Sequence, residues 1–130
     1  MQSPAEDIKD MLEAESSLGL IFANNLFTNK EPGSPIECVT IFDTGGLSPS
    51  LGLTTQGYEY PSVNIRVRGI NYIDTWNLAN DIKDSLHGRA QETRNGTLYS
   101  VIYCSNGPYL LDWDDNGNCR IVLNFNINRR

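Results

Sequence analysis

At 130 residues, with 39% hydrophobic and 20% charged side chains, the chain has the make-up of one ordinary globular domain spanning residues 1–130, not of a disordered polymer. Acidic residues outnumber basic ones 16 to 10, and the net charge of −6 opposes nonspecific attraction to phosphate backbones, so gripping nucleic acid is set aside as the main task. The N-terminus is polar and acidic, no apolar run is long enough to span a bilayer, and Cys38, Cys104 and Cys119 make neither a C-x-x-C pair nor an even set; secretion, membrane insertion, a disulfide framework and a zinc site are not indicated.

Ser3 followed by Pro4 and Glu6 reads as a capping box with proline at the first helical position, and Ile8, Met11 and Leu12 follow at helical spacing. A helix is predicted over residues 4–16. Residues 18–22, entered at Gly19, read as a short strand that continues as strand or irregular chain to Phe27. Residues 29–35, with two prolines and a glycine, read as the turn of a hairpin. Residues 36–42 carry apolar side chains on both faces (Ile36, Cys38 and Phe42 against Val39 and Ile41), which places this strand centrally in a sheet. Residues 44–60 read as a long loop, and connections of that length are usually functional, so Leu47, Leu51 and Leu53 are candidate partner contacts.

In the next strand Val63, Ile65 and Val67 fall on one face and Asn64, Arg66 and Arg68 on the other. Asn71 is the N-cap of a helix whose stripe, Ile73, Trp76, Ala79, Ile82 and Leu86, lies on the sheet, and Gly88 ends it. Residues 88–95 form a second loop. Asn95-Gly96, Asn106-Gly107 and Asp115-Asn116-Gly117 mark turns around strands at 97–104 and 108–113, and residues 120–128 alternate strictly, with Ile121, Leu123, Phe125 and Ile127 facing one way. The order of elements predicts an α+β fold: a mainly antiparallel sheet with two helices packed on one face.

Asp112, Asp114, Asn116 and Gly117 match the opening of an EF-hand loop, but its twelfth position, where a bidentate Glu is required, is Leu123. A hairpin turn is the favoured reading; a small calcium-binding module or enzyme using Asp112, Asp114 and Asn116 is the alternative from another class. Gly45-Gly46 lack the lysine-serine pair of a phosphate loop, and His87, the chain's sole histidine, sits where a helix dipole favours it and where no nucleophile adjoins it. Asp43 reads either as a turn cap or as the partner of Arg66 or Arg68, within a subunit or across a boundary. The two arginines read either as ordinary exposed strand residues or as an intersubunit surface, for which the planar guanidinium is suited. No catalytic residue, cofactor or metal is expected.

The order of these motifs carries a resemblance. Asp43-Thr44-Gly45-Gly46 after an apolar strand, the strand Pro61-Ser62-Val63-Asn64-Ile65-Arg66-Val67-Arg68, a helix with Trp76, Leu78, Ala79, Ile82 and Leu86, and a strand-turn-strand with Pro108, Leu110, Asp112, Gly117, Arg120 and Asn124-Phe125 together resemble the phage tail-terminator proteins, also labelled minor capsid proteins. The resemblance implies a non-enzymatic homohexameric ring at the head-proximal end of the virion tail, assembled in the host cytoplasm. Such a ring stops growth of the tail tube and docks tail to head. Its partners are further copies of itself, the tail-tube protein and a head-completion or connector protein, while DNA passes through the lumen without specific binding. The contact residues implied are Asp43, Gly45, Gly46, Leu47, Leu51, Leu53, Arg66 and Arg68. A head-to-tail connector or neck subunit is the second structural reading. One departure is Asn118-Cys119 between Gly117 and Arg120, where related chains place a basic residue directly after the glycine, so Arg120 is given no role.

Overall fold

The computed structural model describes residues 1–47 and 57–130, so Leu51 and Leu53 lie outside the described residues. In chain order the elements are α1 (Pro4–Ala14), β1 (Leu26–Thr28), β2 (Cys38–Leu47), β3 (Tyr60–Gly69), α2 (Tyr72–Leu86), β4 (Arg89–Arg94), β5 (Thr97–Trp113) and β6 (Cys119–Arg129). Across the sheet the order is β1-β2-β3-β6-β5-β4, antiparallel at every boundary except β1–β2.

The period-2 patterns of β3 and β6 decide which face is buried. Register pairs Val63 with Phe125, Ile65 with Leu123 and Val67 with Ile121, and on the other side Val39 with Val67 and Ile41 with Ile65. All of these side chains enter one core with Ile8, Met11 and Leu12 of α1 and Ala79, Ile82 and Leu86 of α2, so both helices cover the same face. Each such aliphatic or aromatic side chain, fully removed from water, contributes about 1.5–3 kcal/mol. The α+β fold with two helices on one face is as the sequence predicts.

The helix ends follow local chemistry. Ser3 Oγ accepts the Glu6 N–H at 3.3 Å, but the Glu6 carboxylate does not return to Ser3; it accepts from the Thr28 hydroxyl at 2.7 Å and from Lys9 at 3.1 Å, tying α1 to β1. Asn71 Oδ1 accepts from Ile73 and Asp74, and Gly88, at φ 88°, follows the C-cap His87. Ile73, expected on the sheet, is instead 66% exposed.

Several expectations for the first half are corrected. Residues 18–22 are not a strand: a 3-10 helix, Ser16–Leu18, ends at Gly19 with φ 67°, and the Asn25 amide then bonds Ile21 N and Gly19 O, taking the place of a neighbouring strand. Residues 29–35 do not close a hairpin, because β1 runs parallel to β2 and the chain must travel back before re-entering the sheet. β2 is second from the edge rather than central, although Cys38, Val39, Thr40 and Ile41 are buried on both faces. Ile36 stays outside it and exposed. The strand also continues through Asp43-Thr44-Gly45-Gly46, expected as a turn.

In the second half, residues 89–94 are the strand β4, not part of a loop, and the Asn95-Gly96 turn, with φ of 52° and 79°, joins it to β5. Asn106-Gly107 is no turn. β5 runs straight through it with register shifts between Cys104 and Tyr109, since β6 opposite offers an unbroken partner. Gly107 has φ 102°, and a Cβ there would lie 2.6 Å from the Val122 carbonyl, so the irregularity needs glycine.

Candidate assembly interface

The face of the sheet turned away from the helices carries the polar half of each alternating strand. Ser62, Asn64 and Arg66 of β3 stand level with Asn126, Asn124 and Val122 of β6 and with Thr44, Phe42 and Thr40 of β2. Asn64 Nδ2 donates to Asn124 Oδ1 at 2.8 Å, while the Asn124 and Asn126 amides reach the Tyr109 and Tyr103 hydroxyls at 3.5 Å. The result is a row of amides and phenols across three strands, without a carboxylate among them.

The two arginines of β3 have different fates. Arg68, expected on display, is 7% exposed. Its Nε donates to the Ile36 carbonyl at 2.8 Å, its NH2 to the carbonyls of Pro32 and Pro35 at 2.7 and 2.8 Å, and its NH1 lies 3.2 Å from Glu31. Arg120 Nε meets the same Glu31 carboxylate at 3.2 Å, and its NH1 meets Asp112 at 3.1 Å. Two arginines thus bolt residues 31–36 onto the sheet, and Arg120, left without a role above, has one. Arg66 lies with its guanidinium 4.9 Å from the centre of the Phe42 ring. Its Nε is buried without a hydrogen-bond partner, and among the described residues no carboxylate pairs with it.

Asp43 pairs with neither arginine. Its Oδ1 accepts the Ala5 N–H at 2.9 Å at the start of α1, where the helix dipole favours a carboxylate, and its Oδ2 accepts from Asn29 Nδ2 at 2.8 Å. Gly46 has φ 69°, and a Cβ there would sit 2.7 Å from Pro61 Cα, so its role is internal. Gly45 has no such constraint: a Cβ would meet nothing within 4 Å. Leu47 is 76% exposed.

The opposite edge holds a feature that sequence reasoning missed. β4 pairs with β5 only at residues 97–102, so residues 103–113 have β6 on one side and no strand among the described residues on the other. Tyr103, Tyr109, Leu110, Leu111 and Trp113 are exposed along this stretch. The available signal is a run of apolar residues, 108–113, with one charge. At its head His87 Nδ1 accepts the Cys104 N–H at 2.9 Å. His87 is the C-cap residue of α2, as expected, and its side chain also closes the Cys104 backbone donor at the head of the open edge.

The family model for the bacteriophage tail terminator protein matches residues 5–130. The chain belongs to the bacteriophage tail terminator family. Among solved structures, a chain from the virion of a native gene transfer agent particle shares the fold with a TM-score of 0.76 at 14% identity, covering 98% of this chain and 94% of that one. No curated protein matches. Tail terminators are structural virion proteins and not enzymes.

In this tail terminator the carboxylates of the EF-hand-like stretch are already engaged. Asp112 is paired with Arg120, and Asp114 accepts from the backbone N–H groups of Asn116 and Asn118, each at 2.9 Å, and from the Asn118 side chain at 3.2 Å. Among the described residues no group of three His, Cys, Asp or Glu side chains is placed to hold a metal ion. The Asn118 N–H bond holds the Asp114 carboxyl below the usual carboxylate range. A group so lowered supports the turn above its unfolded value, about 3.9, and that support is lost as pH falls through the lower folded one. Calcium is therefore expected to leave Tm unchanged in a titration at pH 7. Protection of the Asn116 and Asn118 amides, taken relative to the exchange rate of unstructured chain at the same pH, should fall as the solution is acidified below pH of about 3.9.

Proposed function

We propose that the protein closes the head-proximal end of the phage tail tube as a homohexameric ring, halting addition of tube subunits and presenting the surface on which the head docks. The observation that carries this reading is the family match over residues 5–130. The mechanism is steric: a ring seated on the last tube layer occludes the surface on which the next would stack, and symmetry multiplies modest contacts into a stable cap. The net charge of −6 per subunit is repeated around the ring, which suits passage of DNA without adhesion.

Of the contact residues implied by the resemblance, Arg66, Gly45 and Leu47 remain available to partners in this proposal, with Leu51 and Leu53 beside them in sequence. Asp43, Gly46 and Arg68 serve mainly to build the surface on which contacts form. Light scattering and negative-stain imaging of the protein with its tail-tube protein should find rings at tube ends and tubes of arrested length; a monomer that ignores tubes would overturn the proposal and favour a connector subunit. Arg66→Glu is expected to weaken capping about tenfold or more by placing like charge against an acidic partner surface. It should cost the fold about 1–2 kcal/mol, the worth of a half-buried cation–ring contact.

A further inference from the structure

Among the described residues the two edges of the sheet are left unfinished in complementary places. β1 covers β2 only at residues 39–41, and β4 covers β5 only at residues 97–102. Register runs from Asp43 to Val63, from Val63 to Phe125 and from Phe125 to Cys104, so Asp43 and Cys104 stand level on opposite sides of the molecule. From that line the open part of β2, residues 43–47, extends one way, and the open part of β5, residues 104–113, extends the other. One edge is notched above the line and the other below it. Three antiparallel boundaries separate β2 from β5, so the two strands run in opposite directions.

Open edges of this kind carry unpaired backbone groups and are ordinarily blunted by charge, proline or cover. Pro108 and the register shifts protect the start of the β5 edge, but Tyr109, Leu110, Leu111 and Trp113 follow with Asp112 as the sole charge. On β2, Asn29 bonds the Ile41 carbonyl and the Asp43 N–H, which shows that odd-numbered residues aim their backbone groups outward. Gly45 follows Asp43 in that series, where the register with β3 shifts between Thr44 and Leu47. Among the described residues nothing accounts for its missing side chain, whereas a second backbone passing close to it would.

We infer that the open edge of β2 in one copy pairs antiparallel with the open edge of β5 in the next, residues 43–47 against 109–113, so that the sheet continues from subunit to subunit. The inference rests on the ring reading and names how the ring is joined. The contact is heterologous: two different patches of the same chain meet at every boundary, and repetition closes a ring when the rotation allows it. The offset between the two notches makes neighbouring strands step along their length, which tilts them against the ring axis as closure of a sheet requires. Leu47 of the arriving strand then stands opposite Tyr109, with Leu111 as its diagonal neighbour.

Opposed residues of antiparallel strands hold their Cβ atoms about 4.5–5.5 Å apart, close enough for a disulfide once the pair settles. In a Cys104→Ser background, Gly45→Cys combined in one chain with Leu110→Cys or with Leu111→Cys should, on oxidation of assembled rings, give a reducible ladder of covalent multimers on denaturing gels. Each single variant should give monomers, since a heterologous joint never opposes a residue to its own copy. Gly45→Val should reduce the ring population about tenfold, by the loss of close backbone approach, with Tm unchanged. Wild-type rings with no ladder from either combination would overturn the strand pairing and leave the ring reading standing, as would cross-linking of Leu111→Cys to the tail-tube protein alone. A wild-type chain that stays monomeric beside its tubes would overturn both.

Discussion

Asp7→Ala is expected to destabilise the fold by about 3–5 kcal/mol, the cost of removing one member of a buried charged set. Thermal unfolding should show a fall in Tm of about 10–15 °C for a chain of this size. Asp7 is fully buried on α1. Its Oδ2 accepts from the Tyr99 hydroxyl and lies 3.9 Å from Arg129 NH1, and its Oδ1 accepts from Asn95 Nδ2 at 2.7 Å. Arg129 NH1 also donates to the Tyr99 hydroxyl at 3.2 Å and to the Gln2 carbonyl at 2.9 Å. Alanine would leave a buried phenol without its acceptor and would leave the buried Arg129 with Glu59, 3.5 Å from its Nε, as its remaining anion.

Tyr99→Phe removes one hydroxyl and keeps the ring, so its cost should be smaller, about 1.5–3 kcal/mol for a hydrogen bond to a charged group. Burial, and then the bond to Asp7, push the Tyr99 phenol well above its ordinary range. The raised value means that its contribution is fully present below the unfolded pKa of about 10 and is lost as pH rises towards the folded one. The wild type should accordingly loosen in strong alkali, and Tyr99→Phe should lack that component. Equal costs for Asp7→Ala and Tyr99→Phe would show that the hydroxyl, not the carboxylate, anchors α1.

What was legible in the sequence is what depends on periodicity and turn chemistry. Val63, Ile65 and Val67, the alternation of residues 120–128, the Asn71 cap and the Asn95-Gly96 turn each express local rules, and the fold class follows from their order. The parallel β1–β2 pair was not legible, because nothing local distinguishes a hairpin turn from nine residues that return across a sheet. The bolt that makes the return possible joins Arg68 to Glu31, Pro32, Pro35 and Ile36, which are more than thirty positions away. The same distance hid the site. Alternation placed Arg66 and Arg68 on one polar face correctly, but only the path of residues 31–36 over that face separates the buried clamp from the arginine that has no carboxylate partner among the described residues. The open edge of β5 was invisible for a related reason: a strand's edge is defined by where its neighbour stops, and β4 was read as a loop.

Arg68→Ala is the second large effect, expected at about 3–5 kcal/mol, from the loss of three hydrogen bonds given by a charged donor, each worth about 1.5–3 kcal/mol and partly replaced by water. The arginine supplies the carbonyls of Pro32, Pro35 and Ile36 with their donors and half of the charge facing Glu31, whose side chain is 13% exposed. Arg120 still faces Glu31, so the carboxylate is not stranded; the three carbonyls lose the donor they share. Arg68→Lys should recover part of the loss, because an ammonium can meet Glu31 but cannot reproduce a planar fork that serves three carbonyls at once. Urea unfolding of the two variants beside Arg66→Glu provides the decisive contrast. Arg68→Ala should lose stability and, through the freed segment, assembly as well, whereas Arg66→Glu should lose assembly with little loss of stability. If Arg68→Ala unfolded like the wild type, residues 31–36 would be held by something other than the clamp, and Arg68 would return to the set of residues available to a partner.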